Sequence, residues 1–192
     1  MNTTAHAVLN LAILNREQRP DWNPLIIWGA LIPDITMFIF YGVLKLANIP
    51  ERQIWGEEYY RPFWQTTFDF FNSIPLALVG IGIAFYFHRT GITLLFVSIL
   101  LHCLEDLPLH HDDGHRHFWP FSNFRFESPV SYWDPDHYGI IAGRIELAVV
   151  LAASVYVFTR VRSPWTKGLL TVANALPLIA QLYFSALGST LG

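Results

Sequence analysis

Histidines and carboxylates are concentrated in one stretch of the chain, between Leu101 and Gly139. Six of the eight histidines lie there, at positions 102, 110, 111, 115, 117 and 137. Acidic residues accompany them, among them Glu105, Asp106, Asp112, Asp113, Asp134 and Asp136. Imidazole nitrogens and carboxylate oxygens are the ligands that proteins offer to zinc and to similar divalent ions. The composition of this stretch therefore predicts a metal site.

His102 and Asp106 are the best-defined pair of candidate ligands. They are four residues apart, and a helix places such residues one turn apart on the same face. The sequence before them is apolar, so the pair lies at the polar end of an otherwise apolar helix. We predict that both residues bind one divalent ion, with zinc the expected metal.

The run from His110 to His117 is denser in polar residues but less regular. Gly114 indicates a turn within it, and two or three of its side chains would suffice to complete a coordination sphere. An imidazole or carboxylate left free of the metal can accept a proton from a metal-activated water, and two neighbouring ions are also conceivable. We predict this proton-transfer role for His111, Asp112 and His115. The alternative is a solvated loop that binds ions loosely.

Two further candidate ligands lie earlier in the chain. Asp34 follows Pro33 inside the apolar segment 25–46, and an ionisable group at such depth is costly unless it faces a partner or a wet cavity. Its alternative role is to cap a half-helix that begins at Pro33, which is expected to break or kink a continuous helix. His6 lies near the start of a short predicted helix over residues 4–15. Its alternative reading is a helix-terminus histidine without a function.

The composition indicates how these residues are positioned. Hydrophobic residues make up 53% of the chain and charged residues 14%, against about 25% charged residues in a typical soluble domain. Mean hydropathy is +0.34. The sequence therefore predicts an all-α, polytopic membrane bundle that forms a single domain over residues 1–192. Five spans are expected, near residues 25–46, 71–87, 92–104, 140–158 and 168–187.

The connections between these spans complete the expected topology. Residues 47–70 are rich in aromatic rings and are predicted to form an interfacial loop at the headgroup level. Basic residues dominate the short connections 88–91 and 159–167, which favours a cytoplasmic N-terminus and an outward-facing histidine stretch. The net charge of −3 gives no reason to expect a nucleic-acid partner.

Four short motifs resemble a known family. His6, Gly29-x-x-x-Pro33-Asp34, His102-x-x-x-Asp106 and Trp119-Pro120-Phe121-Ser122 together are similar to the bacterial membrane-bound metal-dependent hydrolases, which are distantly similar to zinc-dependent phospholipase C. The resemblance implies a multi-pass protein of the bacterial inner (plasma) membrane. It also implies the metal ligands His6, Asp34, His102, Asp106 and, by similarity to an Asp…Pro-x-His motif, His110.

This chain departs from the family pattern in two ways. The phospholipase pattern places its Pro-x-His two residues farther from the aspartate than Asp106-x-Pro108-x-His110 does. The hydrolases usually carry a His-Ser pair before the second span, whereas this chain has Asn72-Ser73. Asn is a poor zinc ligand, so either Asp69 takes that coordination position or the position is lost.

The residues and the resemblance predict a hydrolase that uses a metal-activated water to cleave a phosphoester or related bond. Its substrate would be a membrane lipid or a lipid-linked molecule. Glu146, inside the fourth predicted span, is expected to meet a partner within the bundle. Two other functions remain open: a non-catalytic metal-binding membrane protein, such as a sensor or a carrier component, and a structural membrane partner with an internal hydrogen-bond network.

Overall fold

Helices form all the regular structure in residues 1–161, 163–168, 170–171 and 174–175, which are the residues that the computed structural model describes. The predicted all-α class is therefore confirmed for this part of the chain. The α-helices with defined bounds among the described residues are α1 (Thr3–Leu14), α2 (Asn23–Leu46), α3 (Glu51–Gln53), α4 (Pro62–Phe71), α5 (Ile74–Tyr86), α6 (Thr90–Asp106) and α7 (Gly139–Arg160).

Two of these helices are long and apolar enough to cross a membrane. One is the segment Pro20–Leu46, which contains α2, and the other is Gly139–Arg160, which is α7. A third crossing is reached if α4 and α5, which are bent by 44° at their junction, count as one broken span. The described residues thus offer two or three crossings, not clearly the five predicted. The 13 residues of α5 and the 17 of α6 fall short of the roughly 20 that a span needs, and the fifth predicted span, 168–187, lies largely outside the described residues.

The prediction of an interfacial loop over residues 47–70 is wrong in its secondary structure. Most of this segment is helical, with α3, a π-helical turn over Ile54–Glu58, and α4. Some of its aromatic side chains pack inward around Phe40, which is fully buried against Ile54, Tyr59 and Phe68, whereas Tyr60 and Phe63 are exposed. The buried rings of this segment form a small hydrophobic core with α2. A loop lying in the headgroup region would not need such a core.

Close packing of α2 against α6 brings the candidate ligands together. Gly29 allows the contact, since an added Cβ would overlap the Leu95 carbonyl and lie 2.7 Å from Ser98 Cβ. Ser98 Oγ donates a hydrogen bond of 2.6 Å to the Ile26 carbonyl. The helix α2 continues through Pro33 without the predicted break, because the packed helices hold the segment in place although one hydrogen bond is missing.

Helix α1 completes the group by packing on both α2 and α6. Asn10 Nδ2 donates to the carbonyl and the hydroxyl of Ser98, at 2.9 and 2.8 Å. Apolar residues around Val8, Leu11 and Ile26 form the core on this side, together with Val150 and Val157 of α7. The short, mostly buried α1 therefore enters the bundle, which brings its first turn next to the end of α6.

The connection between α6 and α7, residues 107–138, folds back over the polar end of the bundle. Arg116 is bound to the buried Asp69 of α4 through its backbone N–H and its Nε, at 2.8 and 2.6 Å. His117 Nδ1 donates to the Asn72 carbonyl at 3.0 Å. These contacts fix the connection as a wall beside the candidate ligands.

Candidate metal centre

Three predicted ligands converge at the meeting point of α1, α6 and α2. His6, His102 and Asp106 are all buried, and each offers one ligand atom within 4.8 Å of the others. His6 Nε2 lies 3.0 Å from Asp106 Oδ1, and His102 Nε2 lies 3.2 Å from Asp106 Oδ2. Ligands around a tetrahedral zinc at about 2.0–2.1 Å lie roughly 3.3 Å apart, so these separations fit one ion.

The Nδ1 atoms of the two histidines are held by other groups, which directs their Nε2 atoms toward Asp106. His6 Nδ1 is 2.7 Å from Glu105 Oε2, and His102 Nδ1 donates to the Ala30 carbonyl at 2.8 Å. Both Nε2 atoms are buried and face the two oxygens of Asp106, at 3.0 and 3.2 Å. A metal-binding histidine characteristically holds its other nitrogen on a carboxylate or a backbone carbonyl in this way. The donor set therefore fits a divalent ion that accepts imidazole and carboxylate ligands.

Asp106 is the centre of the cluster, and both of its oxygens are in use. Its Oδ1 lies 2.6 Å from the Met1 amino group and 3.4 Å from His110 Nε2, in addition to His6. The Met1 amino group is also 3.2 Å from His110 Nε2. A single carboxylate thus connects α1, the last turn of α6 and the first residues of the α6–α7 connection.

The other two predicted ligands lie at the border of this cluster. Asp34 Oδ1 is 3.7 Å from His102 Nε2, and Asp34 Oδ2 is buried without a hydrogen-bond partner among the described residues. His110 contacts Asp106, and its Nδ1 lies 3.0 Å from Asp113 Oδ2. Both side chains are therefore near enough to join the coordination of an ion at the centre, or of a neighbouring one.

The cluster opens into a cavity of about 550 Å³ between α2, α4 and the α6–α7 connection. Carboxylates and aromatic rings line its walls. The polar lining includes Asp34, Asp106, His110, Asp112, Asp113 and His115. The aromatic lining includes Tyr59, Tyr60, Phe68, Tyr132 and Trp133.

The three residues predicted to move protons have different positions. Asp112 is exposed and His115 is half-buried, and both line the cavity. Burial, together with the neighbouring His117 and His110, lowers the pKa of His115 to about 3, which makes this imidazole a weak base. His111 is directed elsewhere, since its Nδ1 donates to the Ser128 carbonyl and its ring stacks on His137. Of the three, Asp112 therefore has the more suitable position.

Several residues of the site were not predicted from the sequence. Glu105 holds His6, the Ala30 carbonyl holds His102, and Asp113 holds both His110 and the Trp133 indole N–H. Glu105 is remote in sequence from His6, and the group that holds His102 is a backbone carbonyl, so no local pattern predicts either contact. Only the i, i+3 spacing of His110 and Asp113 could have indicated a pair. The expected partner of Glu146 is Asn2, whose N–H and Nδ2 donate to Glu146 Oε1 at 3.0 and 2.6 Å.

The position left open by Asn72 is not filled by Asp69. Both oxygens of Asp69 are taken by Arg116, so this carboxylate serves to anchor the α6–α7 connection. Asn72 lines the cavity, with its Oδ1 buried and without a hydrogen-bond partner among the described residues.

Comparisons of the chain with models of known protein families, with curated proteins and with solved structures found no match.

Proposed function

We propose that this protein is a membrane-bound, metal-dependent hydrolase that acts on a phosphoester or related bond of a membrane lipid or lipid-linked molecule. The observation that carries the proposal is the convergence of the buried Nε2 atoms of His6 and His102 on the two oxygens of Asp106, a group that could hold a metal ion. The motif resemblance to the membrane-bound metal-dependent hydrolases supports the same reading.

A divalent ion held by these residues, expected to be zinc, would supply Lewis-acid chemistry and acidify water. The protein's own groups have complementary roles. Glu105 and the Ala30 carbonyl orient the two imidazoles. Asp34 and His110, at the border of the cluster, would act as additional ligands. Asp112, on the exposed wall of the cavity, accepts the proton from the attacking water.

The nature of the surroundings supports a lipid-linked substrate. The cavity extends from Asp34, in the middle of α2, to the exposed rings of Tyr60 and Trp133. Helix α2 is long enough to cross a membrane. Aromatic rings of this kind favour the headgroup region of a bilayer. A bond beside a lipid headgroup reaches such a cavity without leaving the interface.

Apolar surface on the helices supports placement in a membrane. Large hydrophobic side chains are exposed along α2, α5 and α7, such as Phe38, Phe85 and Val155. We propose that α2 and α7 cross the bacterial inner membrane. The connection between α1 and α2 would lie on the cytoplasmic side, as the basic connections favour, and α1 would dip from there into the bundle so that Met1 reaches Asp106. A five-span arrangement would further require crossings by α5, by α6 and by residues 168–187.

Turnover of a fluorogenic phospholipid analogue in mixed micelles tests the proposal. The metal-free protein should be inactive and regain hydrolysis on addition of zinc. The variant His102→Asn should stay inactive because it loses Nε2, whereas His88→Asn, at an exposed turn between α5 and α6, should match the wild type. Tight, stoichiometric metal binding without hydrolysis of any phospholipid or lipid-linked phosphoester tried would contradict the hydrolase and favour a non-catalytic metal-binding protein.

A further inference from the structure

Four phenylalanines lie on the outer surface of the α6–α7 connection: Phe118, Phe121, Phe124 and Phe126. Phe121 is 80% exposed and Phe124 is 58% exposed, and the other two rings are exposed to a smaller extent. The rings of Phe118 and Phe124 are neighbours, with centroids 6.5 Å apart. Grouped exposed apolar side chains mark surfaces that meet a partner or a membrane. We call these four residues the phenylalanine surface.

The arginines of the same segment point the other way, toward the bundle. Arg125 donates to the Gly114 carbonyl at 2.7 Å and to the side chain of Gln65, which is buried in α4. Arg116 is bound to the buried Asp69, also in α4. A segment surrounded by water usually turns its arginines outward and its phenylalanines inward. The reverse arrangement fits apolar surroundings, in which charged groups have to be paired within the protein.

The segment is attached to the junction of α4 and α5. Ser73 Oγ, at the start of α5, donates to the Trp119 carbonyl. The Trp119 ring packs on Phe70 of α4, with centroids 6.0 Å apart. Phe70 is about half exposed, as are Leu78 and Val79 of α5. The phenylalanine surface therefore lies beside an apolar surface that α4 and α5 already present.

The length of α5 is an independent argument for lipid contact. Its 13 residues rise about 20 Å, whereas the hydrocarbon core of a bilayer is about 30 Å thick. Apolar rings beside the first turn of α5 add apolar surface at the end of this short helix. Exposed Phe rings of this kind bury themselves at the boundary between headgroups and acyl chains.

We propose that the phenylalanine surface inserts into the bilayer beside α5, at the boundary between headgroups and acyl chains. Its partner is the surrounding lipid and not a second protein. Because His115 of the same connection lines the cavity, the insertion holds this wall of the cavity at the membrane surface. The inference rests on the proposed membrane placement and is independent of the hydrolase reaction.

A nitroxide spin label on a single introduced cysteine measures this contact. The full-length protein is reconstituted into vesicles of phosphatidylcholine and phosphatidylglycerol, and the native Cys103 should not react with the label because it is fully buried. For Phe121→Cys and Phe124→Cys, relaxation of the label by oxygen, which concentrates in lipid, should exceed relaxation by a water-soluble nickel chelate several-fold. Asp136→Cys, at an exposed polar position of the same connection, is the control and should show the reverse.

Two results would overturn the proposal. Stronger relaxation by the nickel chelate at both phenylalanine positions would mean that the surface faces water. Weak relaxation by both reagents would mean that another protein molecule covers it.

A label at Val155→Cys, on an exposed face of α7, tests the membrane placement separately. Stronger relaxation by nickel at this position would contradict the placement and, with it, this inference. A lipid-facing Val155→Cys together with water-facing labels at positions 121 and 124 would contradict only the insertion of the phenylalanine surface.

Discussion

His6 and His102 stack face to face at the centre of the protein, with ring centroids 3.7 Å apart. One ring comes from the first turns of α1 and the other from the last turns of α6, and Asp106 lies beside both Nε2 atoms. Two stacked imidazoles with outward Nδ1–H groups present their Nε2 atoms to the same carboxylate. This relationship gives the cluster the ligand set of a metal centre.

Glu105 is expected to control metal affinity without binding the metal. It accepts the Nδ1–H of His6, and loss of such an outer partner typically lowers metal affinity about 10–100-fold. Glu105→Gln keeps an acceptor but removes the charge, so we expect weaker zinc binding at unchanged stoichiometry. Competition with a chelating dye measures the affinity. Glu127→Gln, at an exposed position, is the matched control, and equal affinities in the two variants would argue against this role.

Gly29 is expected to control how closely α2 approaches α6. A methyl group at this position meets the Leu95 carbonyl, so Gly29→Ala should lower stability by about 1–3 kcal/mol and weaken zinc binding by moving Ala30 away from His102. Thermal unfolding in detergent and zinc titration measure the two effects. Gly42→Ala, also in α2, has open space around the added methyl, so zinc binding should not change and stability should not fall. Similar behaviour of the two variants would refute the close-approach argument.

Asp69 should matter for stability and not for metal content. Asp69→Asn breaks a contact of a buried carboxylate with Arg116, which should cost about 1–3 kcal/mol because Arg116 itself remains in reach of water. Zinc stoichiometry should stay at the wild-type value. The control is Asp21→Asn, which removes an exposed pair with Arg19 and should have little effect. Loss of an ion from Asp69→Asn would restore this residue as a ligand.

His115 should make the stability of the protein depend on pH. Its pKa is about 3 in the folded protein against an ordinary value of 6.5, so the unfolded chain binds more protons between these values. Stability therefore falls as the pH decreases through about 6.5, by an amount on the order of 1–2 kcal/mol at pH 5. In His115→Gln this part of the pH dependence should disappear. Parallel unfolding curves for the two proteins from pH 7.5 to pH 5 would contradict the assignment.

Local spacing was enough to predict part of this structure. The i, i+4 spacing of His102 and Asp106 identified one helix face, and the long apolar runs indicated helices that are long and apolar enough to cross a membrane. The boundaries of α1 and α2 also follow from their apolar runs. These features depend on neighbours in sequence, so periodicity is sufficient to find them.

Other features depend on tertiary contacts that no local pattern encodes. Pro33 is accommodated within α2, and the aromatic residues after α2 fold onto Phe40 instead of forming a loop. In the sequence Asp69 was a candidate metal ligand, but in the structure its carboxylate forms an ion pair with Arg116 of the remote α6–α7 connection. The most crowded histidines also separated: His110 faces the metal centre, while its neighbour His111 stacks on His137.

The metal content of purified, tag-free protein tests the central claim most directly. After removal of loosely bound ions, elemental analysis should find about one tightly bound divalent ion per chain in the wild type and in His88→Asn. His102→Asn and Asp106→Asn should contain almost none, while the folded state persists because His102→Asn keeps a donor for the Ala30 carbonyl. Equal metal content in the wild type and in these two variants, whether near one or near zero, would contradict a metal centre at His6, His102 and Asp106.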